Sequence, residues 1–514
     1  MQILYLLKRN YKFFIPFLPI LALFVLYPIP PIADYIGHVA FSIVPTGAEE
    51  FYINNFGISY RALHWILKLP QLIFGNNYSI VSAFGMIFMF SILLSVPAVY
   101  IKLKKGPTLF IIGFLVAPTL FLLDAKLFLW GTFPSALGAW LSILFILIYN
   151  NIDDRISKKN LVKRNIIFNI ILLLIILFAH PISILYLGFG LGLIILKILF
   201  TKSSRKFCRL IYIAVIGIFL FIIMLVESHV LDGQGDGSLK ILWGDHNFWE
   251  RIMQIINGSL YEFKQFFPDT DYIISGLGAK LFISFMSLLP FIALISQSII
   301  IYLLRKRKED TSFSLLIFGL LLISCIMLIT IPNNYQYLGQ WSEREVLFIL
   351  PLILIVFSEF ILLFKKYFNS KKVLSVFIGL FFLLNTGAVY AHLNMYSKAQ
   401  NIKITADKIA IELANGVEEY KKSINYSGIV LIEYTVTSIG KPDWFAYRLI
   451  PFLFLINEDL INKKIAIQHE WASHTQLPVK LNIDYLNSHE ALRLWWDQRA
   501  YPKISLSPTR PENW

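Results

Sequence analysis

The chain has 514 residues, 57% of them hydrophobic and only 15% charged, a balance that no water-soluble core could hide. Its formal charge of +14 sits on Lys and Arg clustered between apolar runs, an arrangement suited to membrane insertion and anionic headgroups, so nucleic acid is not an expected partner. The two cysteines, Cys208 and Cys325, fall at a helix end and inside an apolar run, and are poorly placed to form a disulfide.

Spanning a hydrocarbon core takes roughly 20 apolar residues. Runs of this kind predict eleven transmembrane helices, at Phe13–Pro31, Tyr78–Ile101, Pro107–Leu123, Thr132–Tyr149, Ile166–Ala179, Ile182–Phe200, Leu210–Val226, Leu281–Leu304, Phe313–Ile331, Val346–Phe364 and Val373–His392. The first follows Lys8, Arg9 and Lys12 as the core of a signal peptide would, but it is longer and lacks a small-residue cleavage site, so it reads as a span. Basic clusters then alternate along the chain, and one orientation collects 24 Lys and Arg on one side against 8 in the outer loops of the membrane portion. By the positive-inside rule this puts the amino terminus in the cytoplasm of a multi-pass inner (plasma) membrane protein.

The apolar stretch from Ile166 to Phe200 has basic flanks on both sides, so it must cross twice. His180-Pro181 marks the break, because proline lacks the amide hydrogen and disfavours helix before it. Two outer loops, 32–77 and 227–280, are too long for simple connectors. The second carries the flexible run Asp232 to Gly237 and an aromatic-rich segment, Phe248 to Phe267, suited to the membrane interface.

After Asn394 the composition becomes that of a soluble protein, with 14 basic and 13 acidic residues. Ile402, Ile409, Leu413 and Val417 predict an amphipathic helix over Ser397 to Lys422, and Gly428–Tyr434 and Lys464–His469 read as strands. The expected architecture is therefore an all-α membrane bundle, residues 1–394, with a small α+β extracytoplasmic domain, 395–514. No repeat of fixed period is visible.

All nine histidines fall on the outer side in this topology, which points the chemistry outward. Asp34 and His38 follow Pro28-Ile-Pro30-Pro31 and, on a helix, share one face at the membrane surface. A carboxylate partly desolvated there gains proton affinity and suits a general base, with the imidazole orienting it or binding phosphate. The plain alternative is an acidic residue near a helix start beside an interfacial histidine. Asp124 and Lys126 are opposite charges in an otherwise apolar stretch, and need solvent, a partner or a substrate. In Trp341-Ser-Glu-Arg-Glu345, Arg344 has the planar fork that holds two phosphate oxygens, although Glu343 and Glu345 also suit it to a surface charge network.

Taken together these features resemble the GT-C superfamily of membrane glycosyltransferases. The match lies in an arrangement spread over the whole chain: Asp34 and His38 opening a long first outer loop, the aromatic and glycine-bearing Phe128–Gly138, His180-Pro181 between short spans, Glu343-Arg344 in a late outer loop, and the carboxy-terminal region outside. The resemblance implies an inverting transfer of sugar from a polyprenyl-phosphate or diphosphate donor to an extracytoplasmic glycan, lipid or protein acceptor. In it Asp34 removes the acceptor proton, and Arg344, with His180 and Lys126, holds the leaving phosphate. It leaves a divalent metal open, without a ligand set. The chain departs from the protein mannosyltransferases in having no Asp-Asp or Asp-Glu pair at the start of the first loop. Trp495-Trp496-Asp497-Gln498 is similar to part of an oligosaccharyltransferase motif but lacks its Tyr and Gly. His469 and His474 complete no zinc-type constellation. The alternative from another class is a transporter or flippase of a lipid-linked glycan.

Overall fold

In a computed structural model the chain is described at residues 18–30, 34–43, 61–75, 77–106, 108–123, 133–152, 171–176, 178–179, 182–200, 210, 213–214, 216–217, 277–330, 341–367, 371–428, 430–434, 446–447, 449–450, 453–454, 460, 465–469, 492–496 and 504–509. The helices are α1 (Leu18–Leu26), α2 (Asp34–Ile43), α3 (Arg61–Phe74), α4 (Tyr78–Leu103), α5 (Thr108–Leu123), α6 (Phe133–Ile152), α7 (Ile182–Phe200), α8 (Leu277–Lys306), α9 (Ser312–Thr330), α10 (Trp341–Tyr367) and α11 (Lys371–Ser423). Four strands follow: β1 (Val430–Tyr434), β2 (Ile465–His469), β3 (Leu492–Trp496) and β4 (Leu506–Ser507). The described chain is thus mostly helical with one small sheet.

Tyr78–Leu103, Phe133–Asn150 and Leu288–Lys306 are long and apolar enough to cross a membrane, with shorter apolar helices at Ile111–Leu120, Tyr186–Leu199, Ser312–Ile326 and Phe348–Leu363. On α8, Ile292, Ile295, Ile299 and Tyr302 recur at helical spacing and are all exposed. Among the described residues nothing packs over this stripe, and an apolar surface of this kind is compatible with a lipid environment. The opposite faces close a core in which Trp140, Phe90, Phe145 and Tyr186 are fully buried.

Local chemistry sets the helix ends. Asn77 caps α4 by accepting the Ile80 amide at 3.1 Å. At its other end Lys105 takes a left-handed conformation (φ 54°), and the Gly106 amide reaches back to the Ile101 carbonyl. Lys308 after α8 and Asn425 after α11 turn the chain in the same way.

Two findings add to or differ from the sequence expectation. The segment 32–77 contains, besides the helix that carries Asp34 and His38 (α2), a second helix, α3, and the two pack on each other and on α4. The predicted separate helices at Val373–His392 and Ser397–Lys422 are one 53-residue helix, α11, which passes straight through the composition change at Asn394. No Gly or Pro lies between Gly387 and Gly416 to interrupt it. His392 anchors α11 to the bundle, with its Nε2 3.0 Å from the Tyr27 carbonyl and its ring edge-on to Phe24.

The sheet has strand order β2-β1-β3-β4, with the first three parallel and β4 antiparallel to β3. Its direction is fixed at two places. The Leu492 amide, opening β3, donates to the Tyr426 hydroxyl just past the end of α11. Farther back on α11, a Cβ at Gly416 would lie 2.9 Å from Ile504, beside Leu506, which pairs with Trp496 at the end of β3. The three parallel strands therefore run back along α11, so their carboxyl ends are directed toward the bundle.

Candidate functional site

The site is built where α2, α3 and the first turns of α4, α6, α7 and α10 meet. Ser82, in the second turn of α4, is its hinge pin: its hydroxyl donates to the Ile29 carbonyl at 3.1 Å, while its own carbonyl accepts the Tyr35 hydroxyl at 3.2 Å. These bonds tie the exit from α1 and the start of α2 to one point. Gly85 makes the approach feasible, because a Cβ there would stand 2.1 Å from the Tyr35 hydroxyl oxygen. The buried Tyr35 ring stacks on Phe133 with centroids 3.9 Å apart. Burial pushes the Tyr35 phenol well above its usual pKa, despite the bond to Ser82, so it remains a neutral donor.

One turn along α2, His38 is partly exposed, and its Nδ1 lies 3.0 Å from Nε2 of the buried His64 on α3. The two rings are tilted by 35°. Burial first, then His38 and Lys68, hold the His64 imidazole well below its ordinary pKa, so it is neutral at neutral pH. Below the pair, Gln71 Nε2 donates to Ser42 Oγ at 3.0 Å and keeps α2 and α3 in register.

From Tyr35 a ladder of contacts leads across the same end of the bundle. Phe133 opens α6. Five residues on, Gly138 lets α7 approach so closely that a Cβ would meet Ser183 Oγ at 1.7 Å. One turn farther along α7, Tyr186 stacks on Phe348 of α10, with centroids 4.2 Å apart and an interplanar angle of 10°. Trp65, next to His64, packs against Phe178 at 5.4 Å, just before the start of α7.

On this frame Asp34 is the first residue of α2 and His38 lies one turn later. Glu343 and Arg344 belong to the first turn of α10, with Arg344 one turn before Phe348. The helix ends that carry Asp34, His38, Glu343 and Arg344 are thus at one end of the bundle. His180, Asp124 and Lys126 lie outside the described residues, although Phe178 and Ser183 bracket His180 and Phe133 follows the Asp124–Lys126 segment. His469 closes β2, and His474, Asp497 and Gln498 are again outside the described residues, as is Cys208. Trp496 is fully buried and sits edge-on to Tyr447 at 5.8 Å, so it packs the small sheet.

Among the described residues no three His, Cys, Asp or Glu side chains gather as a metal cluster. Sequence reasoning gave His64 no role. Its partner is 26 residues away, and only the packing of α3 on α2 joins them. It also passed over Glu359, hidden in an apolar run, which the structure buries at the opposite end of the bundle. There Glu359 accepts from the Tyr100 hydroxyl (α4), from Gln297 Nε2 at 2.5 Å (α8) and from Ser314 Oγ at 2.5 Å (α9), with Lys104 Nζ 3.9 Å away.

The chain matches no family model, and neither a curated protein nor a solved structure shows significant similarity to it.

Proposed function

We propose that the chain is a multi-pass membrane glycosyltransferase of GT-C type, with its amino terminus in the cytoplasm and its carboxy-terminal sheet outside. It transfers a sugar from a polyprenyl-phosphate or diphosphate donor to an extracytoplasmic acceptor. Asp34 takes the proton from the acceptor hydroxyl as its oxygen attacks the anomeric carbon. The bond from that carbon to the donor phosphate breaks, and Arg344 offsets the charge that gathers on the leaving oxygens. Attack from the face opposite the phosphate inverts the sugar.

The observation that carries this reading is the ladder Tyr35–Phe133, Gly138–Ser183 and Tyr186–Phe348, which runs from the neighbour of Asp34 to a residue one turn from Arg344. A base and a phosphate clamp must serve one sugar, and they are carried on helix ends held together in this way. The partly exposed His38 beside the buried, neutral His64 adds polar groups one turn from Asp34. The test is transfer from labelled polyprenyl-phosphate sugars by the purified chain in detergent or vesicles. Wild type is expected to transfer or hydrolyse the sugar. Asp34→Asn is expected to lose roughly 100-fold or more in rate, the scale of a missing general base, and Arg344→Ala a similar amount. Transfer by Asp34→Asn at the wild-type rate overturns the assignment.

One observation favours a second reading, a transporter or flippase of a lipid-linked glycan. Glu359 is an ionisable residue buried within the apolar bundle, the placement that substrate and proton pathways use. Movement of labelled lipid across vesicles with no sugar released, abolished by Glu359→Gln, selects that reading over transfer.

A further inference from the structure

The geometry points to a transition-metal site between α2 and α3, held by His38 and His64 and completed by Asp34. The two facing ring nitrogens, His38 Nδ1 and His64 Nε2, are 3.0 Å apart. Two imidazoles bound to one tetrahedral zinc-sized ion at roughly 2.0–2.1 Å each have their nitrogens about 3.3 Å apart, so one ion reaches both when the rings part by a few tenths of an ångström and rotate toward it. A hydrogen bond between the two rings is the plain alternative, and it uses the same nitrogens.

Two imidazoles alone leave an ion of charge two uncompensated, in a place where Lys68 already adds positive charge. Asp34 stands four residues before His38 on the same helix, the spacing that puts two residues on one face. A carboxylate at that position would bring the donor set to two nitrogens and one oxygen, which suits zinc, cobalt or iron(II) and leaves positions open for water or a phosphate oxygen. Magnesium, which prefers an all-oxygen shell, suits it poorly. Gln71 on Ser42 and Tyr35 on Ser82 hold the two helices that carry the donors, as a supporting shell does. The site shares Asp34 with the sugar-transfer reading but is tested apart from it, because it is read by binding alone.

The experiment titrates the purified full-length chain, stripped with chelator, with Co2+ and Zn2+, following cobalt visible absorption and bound metal by mass spectrometry. One ion per chain is expected, with cobalt bands of nitrogen–oxygen ligation. His64→Ala and, separately, the surface-side variant His38→Gln are each expected to weaken binding roughly 100-fold or more. Asp34→Asn is expected to weaken it and to alter the cobalt spectrum, while His229→Ala, in the second long loop, leaves both unchanged. If wild type takes up no ion, or if His38→Gln and His64→Ala bind as well as wild type, the pair is an imidazole–imidazole hydrogen bond and the site does not exist. Metal bound without any sugar transfer sinks only the enzymatic reading, and transfer undiminished after chelation with no ion bound sinks only this one.

Discussion

The two ends of the helical bundle are fastened by different physics. At the histidine end the ties are neutral: stacked rings at Tyr35–Phe133 and Tyr186–Phe348, a shared carbonyl and hydroxyl at Ser82, and glycines that let backbones come close. At the lysine end one carboxylate gathers three donors from three helices, and Lys104 and Lys197 lie 5.6 and 5.8 Å from the centroid of one ring, Phe313. Stacked rings can slide by small amounts at little cost, whereas a buried charge tolerates no loss of partners. The lysine end is therefore the end where losing a partner costs most.

The strongest way to break this contrast is Glu359→Ala, which strands the Tyr100, Gln297, Ser314 and Lys104 donors. A loss of about 3–5 kcal/mol is expected, read as a large fall in the thermal unfolding temperature in detergent, with Glu359→Gln losing clearly less. Next comes Gly85→Ala, whose new methyl group meets the Tyr35 hydroxyl. Overpacking of this kind costs about 1–3 kcal/mol, and sugar transfer is expected to fall more than stability does, because the displacement is at α2. Ser82→Ala removes one donor while its backbone carbonyl still serves Tyr35, so about 1 kcal/mol is expected. Smallest of all, Lys408→Ala takes away a long 3.9 Å contact to Glu412 from a side chain that is 69% exposed. Its effect is expected to stay under about 0.5 kcal/mol, and a larger shift would mean that α11 relies on its surface charges.

Much of the helical part was legible because local signals agree with burial. The apolar run that begins at Tyr78 starts where α4 does, and the structure adds the reason in the neighbouring Asn77 cap. The strands over 428–434 and 464–469 appear at Val430–Tyr434 and Ile465–His469, because their runs of β-branched and apolar residues are a local preference. What escaped depends on distance along the chain. β3 is not among the strands expected from sequence, because its partner, β1, lies some sixty residues earlier and its parallel register is set only in the sheet. Glu359 carries no signal in sequence, since its three donors come from α4, α8 and α9. The composition change at Asn394 was easy to see and still misled, because helix propensity does not respond to whether a segment faces lipid or water.

At 53 residues α11 is about 80 Å long, more than twice the roughly 30 Å of a hydrocarbon core. A rod of that kind carries angular phase as well as height. One residue inserted between His392 and Gly416 would lift the sheet by about 1.5 Å and swing it around the rod by about 100°, with every contact at either end left chemically intact. The carboxyl edge of the strands is aimed at the bundle only while that phase is kept, so the spacing between the His392 anchor and Gly416 is itself a determinant of what the two parts can hold between them.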